Sequence, residues 1–163
     1  MQIKLEKYVV VKESKIHSKG VFAINNIPQG TRIMEYFGEK ITKEEGTKRE
    51  RASIERAKTD HKIAATYMFE LNDEWDLDGN ISNNDAKYIN HSCEPNCDIE
   101  IIGDRIFIHT IKDIKKDEEI SFNYGFSADD ALEHPCKCGA KECAGYIVDS
   151  DEKHKLHKKL NKN

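Results

Sequence analysis

The 163-residue sequence is poor in several residue types that would place it in other protein classes. It has three prolines and one tryptophan, and none of its five cysteines precedes Cys93. No apolar run approaches the roughly 18–20 residues of a transmembrane helix. The start, residues 1–7, is charged every few residues and lacks the apolar segment of a signal peptide. We therefore expect a protein of the cytoplasm, or of a nucleus in its own or a host cell, where disulfides are disfavoured.

An excess of positive charge is also missing. The net charge is −4, which does not suggest a direct nucleic-acid binder. Residues 63–86 contain no Lys or Arg and six acids, namely Glu70, Asp73, Glu74, Asp76, Asp78 and Asp85. An acidic face of this kind would attract a Lys/Arg-rich partner, although ordinary acidic loops give the same pattern. The last ten residues hold four lysines and no acid.

Short apolar and β-branched runs recur between turn residues. The length fits one domain with one modest core, and the runs predict strands near residues 8–11, 20–24, 32–37, 67–71, 99–102, 105–111 and 119–124. A turn is predicted at residues 27–30, which include Pro28 and Gly30. The sequence therefore predicts a mainly β domain.

One segment, residues 42 to about 58, is expected to be a charged surface helix with a thin apolar stripe. Thr42 and Glu45 match a capping box, and Gly46 should interrupt or loosen the helix. The expected i,i+4 ion pairs are Glu44–Lys48 and Glu45–Arg49. The last residues, 151–163, are expected to fray or to form a short terminal helix.

Three cysteines lie close together in a C-x-C-x4-C pattern at Cys136, Cys138 and Cys143. Thiolates at this spacing suggest a structural zinc site, which usually takes four ligands in a tetrahedron. The spacing leaves the fourth ligand open between Cys93, Cys97 and a histidine such as His134. Free or redox-active thiols are the alternative interpretation.

Five segments together resemble the SET-domain family of protein lysine methyltransferases. Residues 88–97 read YINHSCEPNC and residues 118–126 read EEISFNYGF, which match the two family signatures. Residues 136–146 (CKCGAKECAGY) are similar to the post-SET zinc segment, and residues 18–23 (SKGVFA) and 36–39 (YFGE) to the N-terminal half. The motifs follow the family order from about residue 8 to 147.

The resemblance implies a fold of several small sheets with a pseudoknot, one short inserted helix and a zinc-binding C-terminal segment. We expect a SET domain over residues 6–128, a post-SET segment over 132–148 and a polar Lys-rich tail over 149–163. A pre-SET module is not expected, since no cysteine precedes Cys93. The family pattern completes the zinc site as Cys93, Cys136, Cys138 and Cys143. Cys97 is then left as a small buried apolar residue.

The resemblance also implies the site residues. Tyr124 is the expected catalytic tyrosine, and the expected walls of the lysine channel are Tyr36, Phe122 and Phe126. S-adenosylmethionine is the expected cofactor, bound by Ser18, Lys19, Gly20, Tyr67, Asn90 and His91. Two positions depart from the family pattern: Ser18 replaces a glycine, and Lys87 replaces an arginine and so loses its planar fork.

The implied reaction is attack of a neutral lysine amine on the methyl group of a sulfonium. A free lysine, with a pKa of about 10.4, is almost fully charged at neutral pH, so the site must favour the neutral form through burial and nearby positive charge. Phe122 stands at the family's Phe/Tyr position, and the absence of a hydroxyl there predicts di- or trimethylation.

The leading hypothesis is an active methyltransferase, monomeric or homodimeric, whose partner is a lysine-containing basic protein. A histone, a DNA-packaging protein or a ribosomal protein would suit, lying as an added strand near residues 67–72. The alternative is a catalytically silent SET-like module that binds a peptide. A purely structural zinc protein would leave the motifs around Asn90 and Tyr124 unexplained.

Overall fold

The computed structural model describes residues 7–60 and 67–161, and it consists mainly of short strands in four small sheets. The expectations for residues 1–6, 63–66 and 162–163 lie outside the described residues. The strands are β1 Val9–Glu13, β2 Lys19–Ala23, β3 Arg32–Tyr36, β4 Glu39–Thr42, β5 Met68–Glu70, β6 Trp75–Asp78, β7 Asn90–His91, β8 Cys97–Ile102, β9 Arg105–Thr110 and β10 Ser121–Phe122. The mainly β prediction is therefore confirmed.

Antiparallel pairing forms three of the sheets. β1 pairs with β2, β9 lies between β3 and β8, and β6 lies between β4 and β5. The third of these sheets leaves β5 at its edge. The predicted turn before β3 contains Gly30 with φ of 80°, a left-handed conformation that glycine adopts without a Cβ clash.

The fourth sheet brings together two segments that are distant in sequence. β7 pairs in parallel with β10, so that Asn90 lies opposite Ser121 and His91 opposite Phe122. The Ser92 N–H donates to the Phe122 carbonyl at 3.2 Å, which extends the pairing by one bond. This short contact places both sequence signatures at one point of the fold.

The β7–β10 pair lies next to the main apolar core, which includes Phe122 of β10. Val21, Ile33, Ile106, Ile108 and Ile120, which come from two of the sheets and from the segment before β10, have no exposed surface. Burial of branched aliphatic side chains contributes about 1.5–3 kcal/mol each relative to exposure. The strands therefore form a rigid base on which the short β7–β10 pair rests.

Helix α1, Lys43–Thr59, begins where the sequence predicts, and the Thr42 hydroxyl accepts a hydrogen bond from the Glu45 N–H at 3.3 Å. The expected interruption at Gly46 is wrong, because the helix is continuous and Gly46 is its buried residue. A Cβ at Gly46 would lie 2.2 Å from Asp76 Oδ2, so the glycine admits that carboxylate.

The ion pairs of α1 differ in one respect from the expected set. The Glu45–Arg49 pair forms at 2.9 Å, but Lys48 lies 3.6 Å from Glu45, at i−3, in place of the expected Glu44. Within the described residues, no helix is long and apolar enough to cross a membrane.

The C-terminal segment is docked against the rest of the chain. Helix α2, Lys153–Leu160, buries Leu156 completely against a second small core of Ala128, Ala131 and Val148. Of the two expectations for this segment, the terminal helix is the one observed. Polar contacts add to this anchor: Lys159 pairs with Asp129, and Lys153 donates to the Glu142 carbonyl.

Candidate active site

Two cavities meet beside β7 and β10. The larger has a volume of about 730 Å³ and the smaller, a narrow channel, about 50 Å³. Four residues line both of them: Tyr67, Lys87, Tyr124 and Phe126. A group bound in the large cavity and a side chain inserted into the channel would therefore approach each other beside these four residues.

The channel is mainly aromatic. Six of its nine wall residues are aromatic, namely Tyr36, Tyr67, Phe69, Phe122, Tyr124 and Phe126, and the others are Met68, Lys87 and Ile89. The Phe69 ring lies 4.6 Å from Tyr36 and 5.7 Å from Phe122, and Phe122 lies 5.1 Å from Tyr124. Aromatic faces exclude water and attract cations such as a methylated ammonium.

The two tyrosines at the base of the channel are fixed through their hydroxyl groups. Tyr124 donates to the Ile89 carbonyl at 2.8 Å, and Tyr36 donates to the Tyr67 carbonyl at 2.7 Å. Burial raises the pKa of both hydroxyls above the ordinary tyrosine value. Both therefore remain neutral at physiological pH and can orient an amine without removing its proton.

The large cavity contains most of the residues expected to bind the cofactor. Ser18, Lys19, Tyr67, Asn90 and His91 line it. Gly20 lies behind this wall, where a Cβ would come within 2.3 Å of Glu119 Oε1, so close packing requires a glycine there.

Asn90 is held in one orientation. Its side-chain amide nitrogen donates to Glu119 Oε1 at 2.7 Å, to the Lys19 carbonyl at 2.9 Å and to the Ser14 hydroxyl at 3.2 Å. These contacts use its donors, so its amide oxygen is left to accept from a bound group.

Phe126 belongs to both cavities. Its ring stacks on His134 with centroids 3.8 Å apart and planes within 5°, and His134 also lines the large cavity. Phe126 therefore joins the channel to the segment that precedes Cys136, in addition to its expected place in the channel wall.

The four expected metal ligands lie together. The ligand atoms of Cys93, Cys136, Cys138 and Cys143 are all within 4.8 Å of one another, and the Sγ atoms of Cys93 and Cys136 are 3.9 Å apart. A tetrahedral zinc with Zn–S bonds of about 2.3 Å requires S···S distances of about 3.8 Å. The four thiols therefore fit a zinc ion, and the cluster can hold a metal.

The ionisation of these thiols differs from one to another. Burial raises the pKa of Cys93 to about 11. Burial acts in the same direction on Cys138, but hydrogen bonds to its sulfur outweigh it and lower its pKa to about 7. A bound cation would deprotonate the whole set, because thiolate is the form that binds metal.

The other two candidates for the fourth ligand lie elsewhere. Cys97 is 1% exposed in the main core, where burial raises its pKa to about 12. His134 stacks on Phe126, and its ring nitrogens are not among the ligand atoms that lie together. Of these candidates, only Cys93 joins the other three thiols.

His91 connects this cluster to Tyr124. The Tyr124 N–H donates to His91 Nδ1 at 3.2 Å, and His91 Nε2 lies 3.3 Å from Cys93 Sγ. Because Nδ1 accepts, the ring carries its proton on Nε2 and points it at the sulfur. His91 therefore contacts one residue of the thiol cluster, Cys93, and one residue of the channel wall, Tyr124.

Comparison with known proteins identifies the family. A family model described as the SET domain matches residues 18–125, about two thirds of the chain. The chain belongs to the SET-domain family. The chain is also similar to "Histone-lysine N-methyltransferase, H3 lysine-4 specific" of Aspergillus oryzae, with 34% identity over 88% of this chain and 12% of the relative.

Two further relatives agree with this assignment. The Saccharomyces cerevisiae protein with the same name is 33% identical over 88% of this chain and 13% of its own length. "Histone-lysine N-methyltransferase trithorax" of Drosophila virilis is 36% identical over 86% of this chain and 4% of its own length. The chain thus spans a small fraction of each relative.

Within this SET domain, several cavity residues were not anticipated from the sequence. Phe69 follows Tyr67 by two positions, so the two-residue period of strand β5 could have indicated it. Ile16, His17, Tyr88 and His134 line the large cavity. Of these, Tyr88 stands next to the Asn90–His91 motif, and the sequence suggests His134 only as a candidate zinc ligand.

The acidic stretch of the SET domain is partly neutralised. Lys43 Nζ lies 2.7 Å from Asp76 and 2.9 Å from Glu70, and Arg49 lies 2.8 Å from Asp78. These cations come from α1. The exposed acids Asp73 and Glu74, in the turn between β5 and β6, have no ion pair among the described residues.

Proposed function

We propose that this SET domain is a protein-lysine N-methyltransferase that uses S-adenosylmethionine. The observation that carries the proposal is the meeting of a nucleoside-sized cavity with a narrow aromatic channel at Tyr124. Displacement at a methyl carbon needs a nucleophile and a leaving group on opposite sides of that carbon. Two cavities that share four wall residues, Tyr124 among them, provide this arrangement.

The large cavity is the proposed cofactor site, with Ser18, Lys19, Tyr67, Asn90 and His91 as its contacts and Gly20 packed behind them. S-adenosylmethionine supplies a methyl group on a positively charged sulfur. In the transfer an N–C bond forms, the C–S bond breaks, and the positive charge passes from sulfur to nitrogen. The methylated ammonium then loses its proton to water before another round.

The channel residues have separate proposed roles. The Tyr124 hydroxyl, which already donates to Ile89, offers its oxygen to an N–H of the target amine and so aligns the nitrogen lone pair. Tyr36, Phe122 and Phe126 surround the aliphatic side chain and exclude water. Phe122 adds no hydroxyl to a channel of about 50 Å³, which leaves room for an already methylated amine and supports di- or trimethylation.

A zinc ion is the proposed occupant of the thiol cluster. It would be bound by Cys93, Cys136, Cys138 and Cys143 and would tie the post-SET segment, residues 132–148, to the SET domain, residues 6–128. Residues 149–163 form the remaining Lys-rich segment of this proposed division. Because His91 contacts both Cys93 and Tyr124, metal binding would also order the active site.

The substrate is proposed to be a basic protein, with the histone H3 tail as the first candidate. Relatives named for H3 lysine 4 suggest it, and a histone-like or ribosomal protein fits the same chemistry. Strand β5 lies at the edge of its sheet and can accept an extended peptide beside the channel. The exposed acids Asp73 and Glu74 lie at one end of this edge and favour a basic peptide. A chromatin substrate would place the enzyme in the nucleus of its own or a host cell. Another basic protein as substrate would place it in the cytoplasm.

The test is transfer of a labelled methyl group from S-adenosylmethionine to histone H3, to H3 with lysine 4 replaced by arginine, and to ribosomal proteins. Tyr124→Phe should lower the rate by about two to three orders of magnitude, the scale seen for single transition-state donors. Tyr146→Phe is the matched control, since Tyr146 packs in the second small core. If the wild type binds both peptide and cofactor but labels no protein, the chain is instead a silent peptide-binding module.

A further inference from the structure

Lys87 occupies the junction of the two cavities, although its sequence position marks it only as a replacement for arginine. It lies in a 3-10 helix, Asp85–Tyr88, and lines both the channel and the large cavity. Its Nζ donates to the Ile81 carbonyl at 2.7 Å and lies 5.3 Å from the centre of the Tyr88 ring. These two contacts hold the ammonium group in place.

The charge of Lys87 is not cancelled locally. No carboxylate pairs with it among residues 7–60 and 67–161. The titratable and charged groups that line the two cavities with it are Tyr36, Tyr67, Tyr124, His17, Lys19, Lys58, Tyr88, His91, Glu133, His134, Cys136, Lys137 and Cys138. Nearby outside the walls, Asp85 shares the 3-10 helix, Asp78 acts on Tyr36, Glu119 acts on Tyr124, and Glu55 pairs with Lys58.

Lysines outnumber carboxylates among the side chains that line the large cavity. Four lysines and a single carboxylate, Glu133, line the large cavity, whereas the whole chain has a net charge of −4. Of the four lysines, Lys87 is the one that also lines the channel. A like charge close to an ionisable amine favours its neutral form.

We propose that Lys87 keeps the target lysine in its neutral, nucleophilic form by fixing a positive charge where the channel meets the cofactor cavity. This inference rests on the proposed methyl transfer. The target amine enters a water-poor channel and meets the Lys87 ammonium in addition to the sulfonium. Its proton leaves to solvent, and the lone pair becomes available for attack. Lys87 is in this sense an electrostatic residue of the site and takes no part in covalent chemistry.

The pH dependence of kcat separates this role from a structural one. At saturating peptide, the acid limb of kcat reports ionisation in the bound complex, whereas kcat/KM reports the free species. By Coulomb's law, a unit charge acting across a partly solvated cavity changes the pKa of a neighbouring amine by on the order of 0.5–1 unit. In Lys87→Met and Lys87→Gln, the apparent pKa of the acid limb of kcat should therefore move to higher pH by that amount. At pH 7, kcat should fall about three- to tenfold.

Two control variants test whether the positive charge at position 87 is the cause. Lys87→Arg retains the positive charge and the donor to Ile81, so its kcat limb should stay with the wild type. Lys116→Met removes an exposed lysine far along the chain and should leave both profiles unchanged. Melting temperature and calorimetric binding of S-adenosylhomocysteine identify any variant that has lost its fold or its cofactor site.

The outcomes are distinct. An upward shift of the kcat limb in Lys87→Met and Lys87→Gln, with rates that rejoin the wild type at high pH, supports the inference. Folded, active Met and Gln variants with an unmoved limb overturn it, as does an Arg variant that shifts like the Met variant. If the wild type itself transfers no methyl group, the proposed function fails and the inference fails with it.

Discussion

The Tyr36 ring occupies the space that a side chain at Gly79 would fill. A Cβ at Gly79 would lie 2.1 Å from the Tyr36 hydroxyl oxygen and 2.2–2.3 Å from two carbons of its ring. The Tyr67 carbonyl accepts from both the Tyr36 hydroxyl and the Gly79 N–H, at 2.7 and 2.9 Å. Because carbon atoms pack at about 3.5–4.0 Å, Gly79→Ala must displace the Tyr36 ring by about 1 Å or more.

The expected cost follows from these contacts. Overpacking costs about 1–3 kcal/mol, and loss of the Tyr36–Tyr67 hydrogen bond adds about 1 kcal/mol. Replacing glycine by alanine also lowers the conformational entropy of the unfolded chain, which offsets about 0.4–1 kcal/mol of this cost. The net loss of about 1–4 kcal/mol should lower the melting temperature by about 2–14 °C. Displacement of a channel wall should also lower the methyl-transfer rate by on the order of 100-fold.

A double-mutant cycle tests the cause. Tyr36→Leu removes the three contacted atoms, so Gly79→Ala should cost less in that background than in the wild type, by more than about 1 kcal/mol. Gly103→Ala is the control, because Gly103 has φ of 62° and no atom within 4 Å of its would-be Cβ, and its cost should not depend on Tyr36. An equal cost of Gly79→Ala in both backgrounds, by denaturant unfolding, would refute the reasoning.

Three further predictions concern the channel and the thiol cluster. Phe122→Tyr adds a hydroxyl to a channel of about 50 Å³, so mass spectrometry should show products shifted toward monomethyl-lysine, and an unchanged distribution would contradict this. Cys93→Ser should lose its zinc by elemental analysis and lower the melting temperature, whereas Cys97→Ser should keep the zinc, since Cys97 lies in the core; equal zinc contents would exclude the four-thiol site. Burial raises the pKa of Tyr124, so kcat should show no fall between pH 7 and about 10 that depends on this tyrosine; a fall near pH 9 that disappears in Tyr124→Phe would contradict this.

The predicted strands share one property, namely runs of β-branched and aromatic residues. β1, β2, β3, β5, β8, β9 and β10 all come from such runs. β6 was missed because two of its four residues are aspartates, which strands disfavour. It is nonetheless the central strand of its sheet, since Lys43 and Arg49 of α1 neutralise Asp76 and Asp78. A tertiary contact here outweighs local propensity.

Gly46 shows the same limit on the helix. By propensity a glycine inside a helix costs about 1 kcal/mol, and this predicted a loosened turn. The structure keeps the helix intact because the glycine lets Asp76 approach α1. The local sequence around Gly46 or around Asp76 does not reveal this contact, since the two residues are thirty positions apart.

The sequence by itself determined the β-rich class, the start of α1, the SET-domain motifs and three neighbouring thiols. These depend on residues close together in the chain, where side-chain period, caps and ligand spacing act directly. Only the tertiary structure decided that Lys87 lines the channel, that Gly79 makes room for Tyr36, and that His91 joins Cys93 to Tyr124. These contacts arise where separate strands meet, and their distances depend on how the whole core packs.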